Sequence, residues 1–215
     1  MSILKTIQEE IEEIYNISSE APVERFVIGQ EIASSLIPQE RLPEETVLLS
    51  EDHEGVQIGL YIAGDILQKL DQNPPFSRLT ERNLDPFCTA IEGVSHFLFL
   101  VSCLSEMRGV SKLELELQAE IDKYLVCSLV LERQRAVGIR CRLPDLLYNS
   151  YQLLPFLKPE EEERYQLANH LALQYSKRLK RLVHPIERPR WVGEARRFRR
   201  KRLQDKIRWL TNRSP

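Results

Sequence analysis

The sequence is poor in glycine, with 8 glycines among 215 residues. It contains no Walker loop and none of the motifs Gly-x-Gly-x-x-Gly, Gly-x-Ser-x-Gly or His-Glu-x-x-His. Loops that cradle phosphate and turns that expose a nucleophile need glycine, because its backbone tolerates conformations that other residues avoid. The sequence therefore does not predict a nucleotide-binding enzyme, a serine hydrolase or a zinc protease of the familiar kinds.

Long apolar runs and closely spaced cysteine pairs are missing too. The longest apolar run, 96–104, is about half of the ~20 residues that a membrane span needs, and the N-terminus lacks an apolar signal segment. Cys88, Cys103, Cys127 and Cys141 have no Cys-x-x-Cys spacing, which favours free, packed thiols in a reducing compartment. We expect a cytoplasmic protein without a membrane span.

The net charge of −2 conceals a strong asymmetry along the chain. Of the 30 Lys and Arg residues, 15 lie in 177–215, which holds three of the 32 Asp and Glu residues. This last stretch is therefore +12, and residues 1–176 are −14. Such an imbalance predicts an acidic partner for the C-terminal stretch. We divide the chain into a body, 1–184, and a basic C-terminal arm, 185–215.

Most of the chain has apolar residues at three- and four-residue spacing, which predicts amphipathic helices. The predicted helices are 2–15, a short one within 23–37, 66–72, 84–104, 112–135, 143–154, 159–183 and, after a proline-containing link at 186–191, 194–210. Asp65, Asn83 and Ser111 are predicted N-terminal caps. Glu114 completes a capping box with Ser111, and Pro86 is predicted in a first turn.

One segment follows the two-residue period of a β-strand. Apolar residues alternate with less apolar ones from Val56 to Ile62, and a second strand is predicted at 46–50. Gly55 ends the connecting loop, where a positive φ is often required. Because an isolated hairpin is marginally stable, we expect it to pack on helices or to pair with another strand. The predicted fold is mainly α: a multi-helix bundle with one small β-hairpin, at about 46–62, and a basic helical arm.

The predicted helix 84–104 is apolar nearly all round, which is typical of a central, buried helix. One of its faces carries, at spacings of 4, 4, 3 and 4 residues, Cys88, Glu92, His96, Phe99 and Cys103. Two cysteines and a phenylalanine do not belong on a solvated face, so Glu92 and His96 are predicted to be buried as well. Buried ionisable groups require partners.

Those partners are predicted on the next helix, where Glu116 and Glu120 lie one turn apart. Two interpretations remain open. The preferred one is a structural, hydrogen-bonded Glu–His pair, because di-metal bundles use Glu-x-x-His twice and this chain has Glu-x-x-x-His once. The alternative is a site for a divalent metal ion with Glu92, His96, Glu116 and Glu120 as ligands, or a proton-transfer site with His96 beside Glu92 or Glu120. His170 is predicted to be solvated.

The arm concentrates its charge on a predicted helix with a tryptophan at each end. The residues predicted to bind an acidic partner are Trp191, Arg196, Arg197, Arg199, Arg200, Lys201, Arg202, Lys206, Arg208 and Trp209. Arginine binds phosphate oxygens in pairs, and aromatic rings stack on unpaired bases, so nucleic acid is one predicted partner of 188–213. The other predicted partner is an acidic protein surface, which belongs to the body of the same chain, to a second copy or to another protein. A membrane surface is less favoured, because the helix lacks a clean apolar face.

We therefore expect a non-enzymatic interaction or assembly protein that docks through its basic arm onto an acidic surface. That surface belongs to a protein partner or to nucleic acid. The alternative is an enzyme or metal-binding protein with a buried site at Glu92, His96 and Glu120. Metal content tests the metal-binding form of the alternative, whereas a proton-transfer site requires an open pocket beside His96.

Overall fold

The structure, a computed structural model, describes residues 2–53, 55–149, 157–180 and 188–211. In these residues nine α-helices accompany one two-stranded sheet, which confirms the mainly helical fold with a small hairpin. The helices are α1 (Ile3–Tyr15), α2 (Gln30–Leu36), α3 (Gly64–Gln72), α4 (Glu81–Ser105), α5 (Lys112–Arg133), α6 (Val137–Tyr148), α7 (Pro159–Lys180), α8 (Arg188–Arg199) and α9 (Leu203–Thr211). The strands are β1 (Glu45–Asp52) and β2 (Gly55–Ile62).

Side-chain caps set the starts of α1 and α5. The Ser2 hydroxyl accepts a hydrogen bond from a backbone N–H of the first turn of α1, and Asn16 ends this helix in the left-handed conformation. Ser111 caps α5 in the same way, through the N–H of Glu114. The Glu114 carboxylate does not complete the predicted capping box, because it accepts hydrogen bonds from Arg108 instead.

Helix α4 begins earlier than its predicted cap. Thr80 is the N-terminal cap, and Asn83 lies in the first turn, where its side-chain oxygen accepts a hydrogen bond from the Thr80 N–H. Pro86 consequently lies inside the helix rather than in the first turn. The sequence prediction failed here because threonine and asparagine are both good caps, and the earlier one forms.

Helices α3 and α6 also start before their predicted positions. Gly64 begins α3, so Asp65 lies in the first turn instead of capping it. Val137 begins α6, six residues early, because the left-handed backbone of Arg135 lets the chain turn directly after α5. The last part of the predicted helix, 150–154, lies outside the described residues.

The arm forms two helices instead of the single helix predicted over 194–210. Helix α8 begins at Arg188, within the predicted link 186–191, and α9 follows a break at 200–202. Helix α8 contacts α1 whereas α9 contacts α7, so the chain changes direction between them. Residues 200–202 include no helix-breaking residue, so tertiary packing, rather than the local sequence, interrupts the helix there. The predicted end of the preceding helix, at His184, lies outside the described residues.

The hairpin is stabilised in both of the predicted ways, by pairing with a further segment and by packing on a helix. Strands β1 and β2 pair antiparallel along their whole length, and Gly55 has a φ of 134° at the turn, as expected for glycine. Leu60 exchanges backbone hydrogen bonds with Phe26 and Ile28, which extends the sheet by one short segment. The other support is α4, against which both strands pack.

Helices α4 and α5 form the centre of the core. Helix α4 is buried on nearly all sides, including Cys88, Phe99 and Cys103 of its polar stripe. By length and composition α4 could cross a membrane, but 67% of its most apolar window is buried in the protein, and the core helix of a soluble protein meets the same criteria. The four cysteines form no disulfide among the described residues.

Gly93 permits the close approach of the hairpin to α4. A Cβ at this position would lie 3.0 Å from Leu60 Cδ1, 3.2 Å from Glu45 Oε2 and 3.4 Å from Ile62 Cδ1.

We expect Gly93→Ala to lower the free energy of unfolding by about 1–3 kcal/mol relative to a control, because three contacts must yield at once. The control is Gly138→Ala in α6, where a Cβ meets nothing within 4 Å, so that only the helix propensity of alanine acts. Urea denaturation measures both variants, and equal gains in stability would contradict the prediction.

Candidate functional site

Helix α5 carries two polar stripes into the interior. One stripe consists of Glu116, Glu120 and Lys123, and the other consists of Glu114, Gln118 and Asp122. Members of a stripe are three or four residues apart, so each stripe follows one face of the helix. The hairpin, α4 and α7 meet the first stripe, and the arm meets the second.

The first stripe belongs to a cluster that we call the Glu–His centre. Its members are Glu45 on β1, Glu92 and His96 on α4, Glu116, Glu120 and Lys123 on α5, and Arg164 on α7. Their side chains are 11–20% exposed. The cluster therefore lies at the edge of the core, where solvent reaches part of it.

His96 lies between two carboxylates of this centre. Its Nδ1 is 3.6 Å from Glu45 Oε2, and its Nε2 is 3.6 Å from Glu116 Oε2. Both distances exceed that of a hydrogen bond. In the described part of the chain, His96 Nε2 and Glu45 Oε2 are buried without a hydrogen-bond partner. Arg164 approaches the other oxygen of Glu116, at 3.5 Å.

Lys123 joins the two remaining carboxylates of the centre. Its Nζ is 2.9 Å from Glu92 Oε2 and 2.7 Å from Glu120 Oε1. Burial opposes the charge on Lys123, but the two carboxylates outweigh it and raise the pKa well above its usual value. Burial also opposes ionisation of Glu92, where Lys123 and His96 reverse the effect and lower the pKa.

The local charge favours a proton on His96. Burial alone would lower its pKa, but Glu45 and Glu116 raise it well above the usual value. Burial raises the pKa of Glu45 in spite of the nearby imidazole. The centre can therefore hold a proton, and it also brings together one atom each of Glu92, His96 and Glu116, all within 4.8 Å of one another, as a metal would require.

The four residues that the sequence placed in this site do come together, with Glu116 and Glu120 in different roles. Glu116 faces the imidazole of His96, whereas Glu120 pairs with Lys123. The three-residue spacing of Glu120 and Lys123 was a usable signal that the sequence analysis missed. Glu45 and Arg164 have no such signal, because their contacts join distant parts of the chain. His170 is exposed.

The second stripe meets the arm in a cluster that we call the arm latch, which consists of Glu114, Gln118 and Asp122 with Arg199 on α8 and Lys206 on α9. Lys206 is 0% exposed, and its Nζ lies 3.5 Å from Glu114 Oε1 and 3.3 Å from Gln118 Oε1. Arg199 is 7% exposed and approaches Asp122 Oδ2 at 3.8 Å. The arm thus places two cations inside the acidic body.

Aromatic rings lie beside these two buried cations. The guanidinium of Arg199 lies 4.5 Å from the ring centre of Tyr15 and 4.9 Å from that of Phe99. Lys206 Nζ lies 4.9 Å from the same Phe99 ring. Such cation–π contacts offset part of the cost of removing the charges from water. The Nη1 and Nη2 groups of Arg199 have no hydrogen-bond acceptor among the described residues.

The tryptophans of the arm pack against other side chains and are not available for stacking on a nucleic-acid base. Trp191 is 1% exposed, so it has no free face for a nucleic-acid base. Trp209 packs against Tyr175 and Phe198, and the guanidinium of Arg178 lies 4.3 Å from its ring centre. Both side chains therefore attach the arm to the body.

The other cations of 196–208 lie at or near the surface, in three different situations. Arg196 donates to the carbonyl oxygens of Ile14 and Glu13, at the end of α1. Two arginines pair with acids of their own helices: Arg197 with Glu194 and Arg208 with Asp205. Three neighbours have no acidic partner among the described residues: Arg200, Lys201 and Arg202.

A cleft of about 340 Å³ opens where the arm passes the ends of α1 and α4, and we call it the arginine cleft. Its lining includes the rings of Tyr15 and Phe99, the acid Glu106 and the five arginines Arg108, Arg196, Arg199, Arg200 and Arg202. A wider hollow of about 630 Å³ lies beside α2, but its one charged lining residue is Glu31. The arginine cleft is therefore the better candidate for binding an anion.

Comparisons of this chain with protein-family models, curated proteins and solved structures gave no match. The functional argument consequently rests on the geometry and charge of the Glu–His centre, the arm latch and the arginine cleft.

The arm latch makes stability depend on pH through Lys206. Burial, reinforced by Arg199 and opposed by Glu114 and Asp122, lowers the pKa of Lys206 from 10.5 to about 8. Between these values the unfolded chain binds more protons than the folded chain, so the contribution of Lys206 to stability rises with pH. We expect wild type to gain ~2 kcal/mol relative to Lys206→Met between pH 8 and pH 10, as measured by urea denaturation.

Lys201→Met is the control for this prediction, because Lys201 lies on the same arm without a buried acidic partner. Its stability should follow that of wild type across the same pH range. If wild type and Lys206→Met gave parallel stability profiles, Lys206 would be charged throughout and the prediction would be wrong.

Proposed function

We propose that the protein is a non-enzymatic nucleic-acid-binding protein that contacts the phosphate backbone through the outer side of its arm. The observation that carries the proposal is the division of the arm's cations. Arg199 and Lys206 are engaged by the body, whereas Arg200, Lys201 and Arg202 have no acidic partner among the described residues. A cytoplasmic location, in keeping with cysteines that form no disulfide among the described residues, belongs to the same proposal.

The arginine cleft supports phosphate as the group that is bound. Arg200 and Arg202 line it together with Arg196, which is only partly engaged by the end of α1, whereas Arg108 is held by Glu114 and lies 3.9 Å from Glu106. Arginine carries five N–H donors, so a partly engaged side chain still has donors for phosphate oxygens. The guanidinium groups of Arg196, Arg200 and Arg202 concentrate positive potential at its mouth.

Other partners are less well supported. A membrane surface requires apolar side chains to insert, but Trp191, Phe198 and Leu210 of the arm are buried against the body. Base stacking is also disfavoured, because Trp191 has no exposed face. The contact should therefore be with the backbone of the nucleic acid and insensitive to sequence. An acidic protein surface, including that of a second copy, would attract the same arginines and is distinguished by the test.

The test is binding of labelled single- and double-stranded oligonucleotides to the full chain over a range of salt concentrations. The three cations at 200–202 predict a plot of log K against log salt with a slope of about −3 on duplex DNA. Arg200→Gln combined with Arg202→Gln should flatten this slope by roughly 2. Removing the arm is not a suitable test, because Trp191, Phe198 and Lys206 are part of the core.

The matched control is Arg197→Gln combined with Arg208→Gln, which removes the same charge from the same arm. These two arginines pair with Glu194 and Asp205, so their loss should change the slope by less than roughly 1. Equal flattening by both double variants would mean that the charge acts diffusely, without a defined site. Wild-type protein that binds no oligonucleotide at about 50 mM salt would contradict the proposal and favour an acidic protein partner.

A further inference from the structure

The Glu–His centre has more carboxylates than cations. Its four glutamates face Lys123 and Arg164, so two negative charges are in excess when His96 is neutral. Excess charge at the edge of a core is costly unless something compensates it. A single divalent cation supplies the missing charge.

Three side chains of this centre have the composition and spacing of a ligand set. One nitrogen of His96 and one oxygen from each of Glu92 and Glu116 lie within 4.8 Å of one another. Bonds of about 2.0–2.2 Å to a zinc-type ion place neighbouring tetrahedral ligands roughly 3.4 Å apart. The 3.6 Å between His96 Nε2 and Glu116 Oε2 is close to this separation and too long for a hydrogen bond.

Two buried atoms without hydrogen-bond partners point independently to an ion. These atoms are His96 Nε2 and Glu45 Oε2. An ion bound at Nε2 would satisfy the first and would place the imidazole proton on Nδ1, which lies 3.6 Å from Glu45 Oε2. Metal-bound histidines usually direct their second nitrogen to a carboxylate or carbonyl oxygen, which fixes the ring orientation. The ion would therefore satisfy Nε2 directly, and Glu45 Oε2 is the carboxylate oxygen that faces the remaining imidazole proton.

We propose that Glu92, His96 and Glu116 bind one divalent transition-metal ion and that Glu45 orients His96. Two carboxylates and one imidazole suit Zn²⁺, Mn²⁺ or Fe²⁺, whereas Ca²⁺ and Mg²⁺ prefer oxygen alone. Lys123 keeps Glu120 as its partner, at 2.7 Å, when Glu92 turns to the ion. Three protein ligands leave a coordination position open for water. The site is separate from the arginine cleft and does not depend on the function proposed above.

The test is binding of the metal alone to the full chain after treatment with a chelator. We expect wild type to bind one equivalent of Zn²⁺ or Mn²⁺ by calorimetry, to retain it through dialysis, and to unfold at a higher temperature. Glu116→Gln and His96→Asn should each weaken binding by at least about 100-fold, and Glu45→Gln by about 10-fold. Circular dichroism establishes that each variant is folded, and if Glu116→Gln is not, His96→Asn decides.

Two matched variants separate a ligand site from general charge effects. Glu120→Gln removes the same charge from the same centre without removing a proposed ligand, and His170→Ala removes an exposed histidine. His170→Ala should bind one equivalent with an affinity within about threefold of wild type, whereas Glu120→Gln should weaken binding less than Glu116→Gln does, because Lys123 then has Glu92 as its carboxylate partner. The proposal is overturned if wild type binds no stoichiometric ion, or if Glu120→Gln weakens binding as much as Glu116→Gln. Neither outcome bears on the oligonucleotide assay, which uses different residues.

Discussion

Much of this fold depends on one constraint, which is that the central helix α5 carries ionisable side chains on two faces into the interior. A buried charge without a partner is costly, and removing one member of a buried pair destabilises a protein more than the pair stabilises it. Both polar stripes of α5 must therefore be covered by elements that bring partners. The hairpin, α4 and α7 do so on one side, and the arm does so on the other.

This constraint explains part of the positive charge at the C-terminus. Arg199 and Lys206 are far from the second stripe in sequence, and they complete it by entering the body between aromatic rings. The buried apolar residues of the arm, such as Trp191 and Phe198, hold them in place. The cations from 200 to 202 have no such role, because they lie in the break between α8 and α9 and have no acidic partner among the described residues. The charge of the arm thus divides into an inner part that is buried against the acids of α5 and an outer part that lies at or near the surface.

The sequence predicted local features well and distant contacts poorly. The stripe with Glu92 and His96 could be recognised because cysteine and phenylalanine interrupt it, and the hairpin could be recognised by its two-residue period. Glu45 and Arg164 could not be found, since nothing local marks a surface-type residue as the partner of a distant helix. Lys206 is an intermediate case. It lies three residues after Leu203 and four before Leu210, on the apolar side of α9, but a lysine is ordinarily assumed to be solvated.

The two clusters around α5 differ in their balance of charge, since the arm latch has two carboxylates facing two cations and the Glu–His centre has four carboxylates facing two cations. In the arm latch burial lowers the pKa of Lys206, with Arg199 acting in the same direction and Glu114 and Asp122 opposing it. In the Glu–His centre the carboxylates overcome burial and raise the pKa values of His96 and Lys123. A region with surplus positive charge attracts anions, and a region with surplus negative charge attracts cations. The two proposals follow this rule: the proposed metal ion lies among the excess carboxylates around His96, and the proposed phosphate lies beside the cations of 200–202, which have no acidic partner among the described residues.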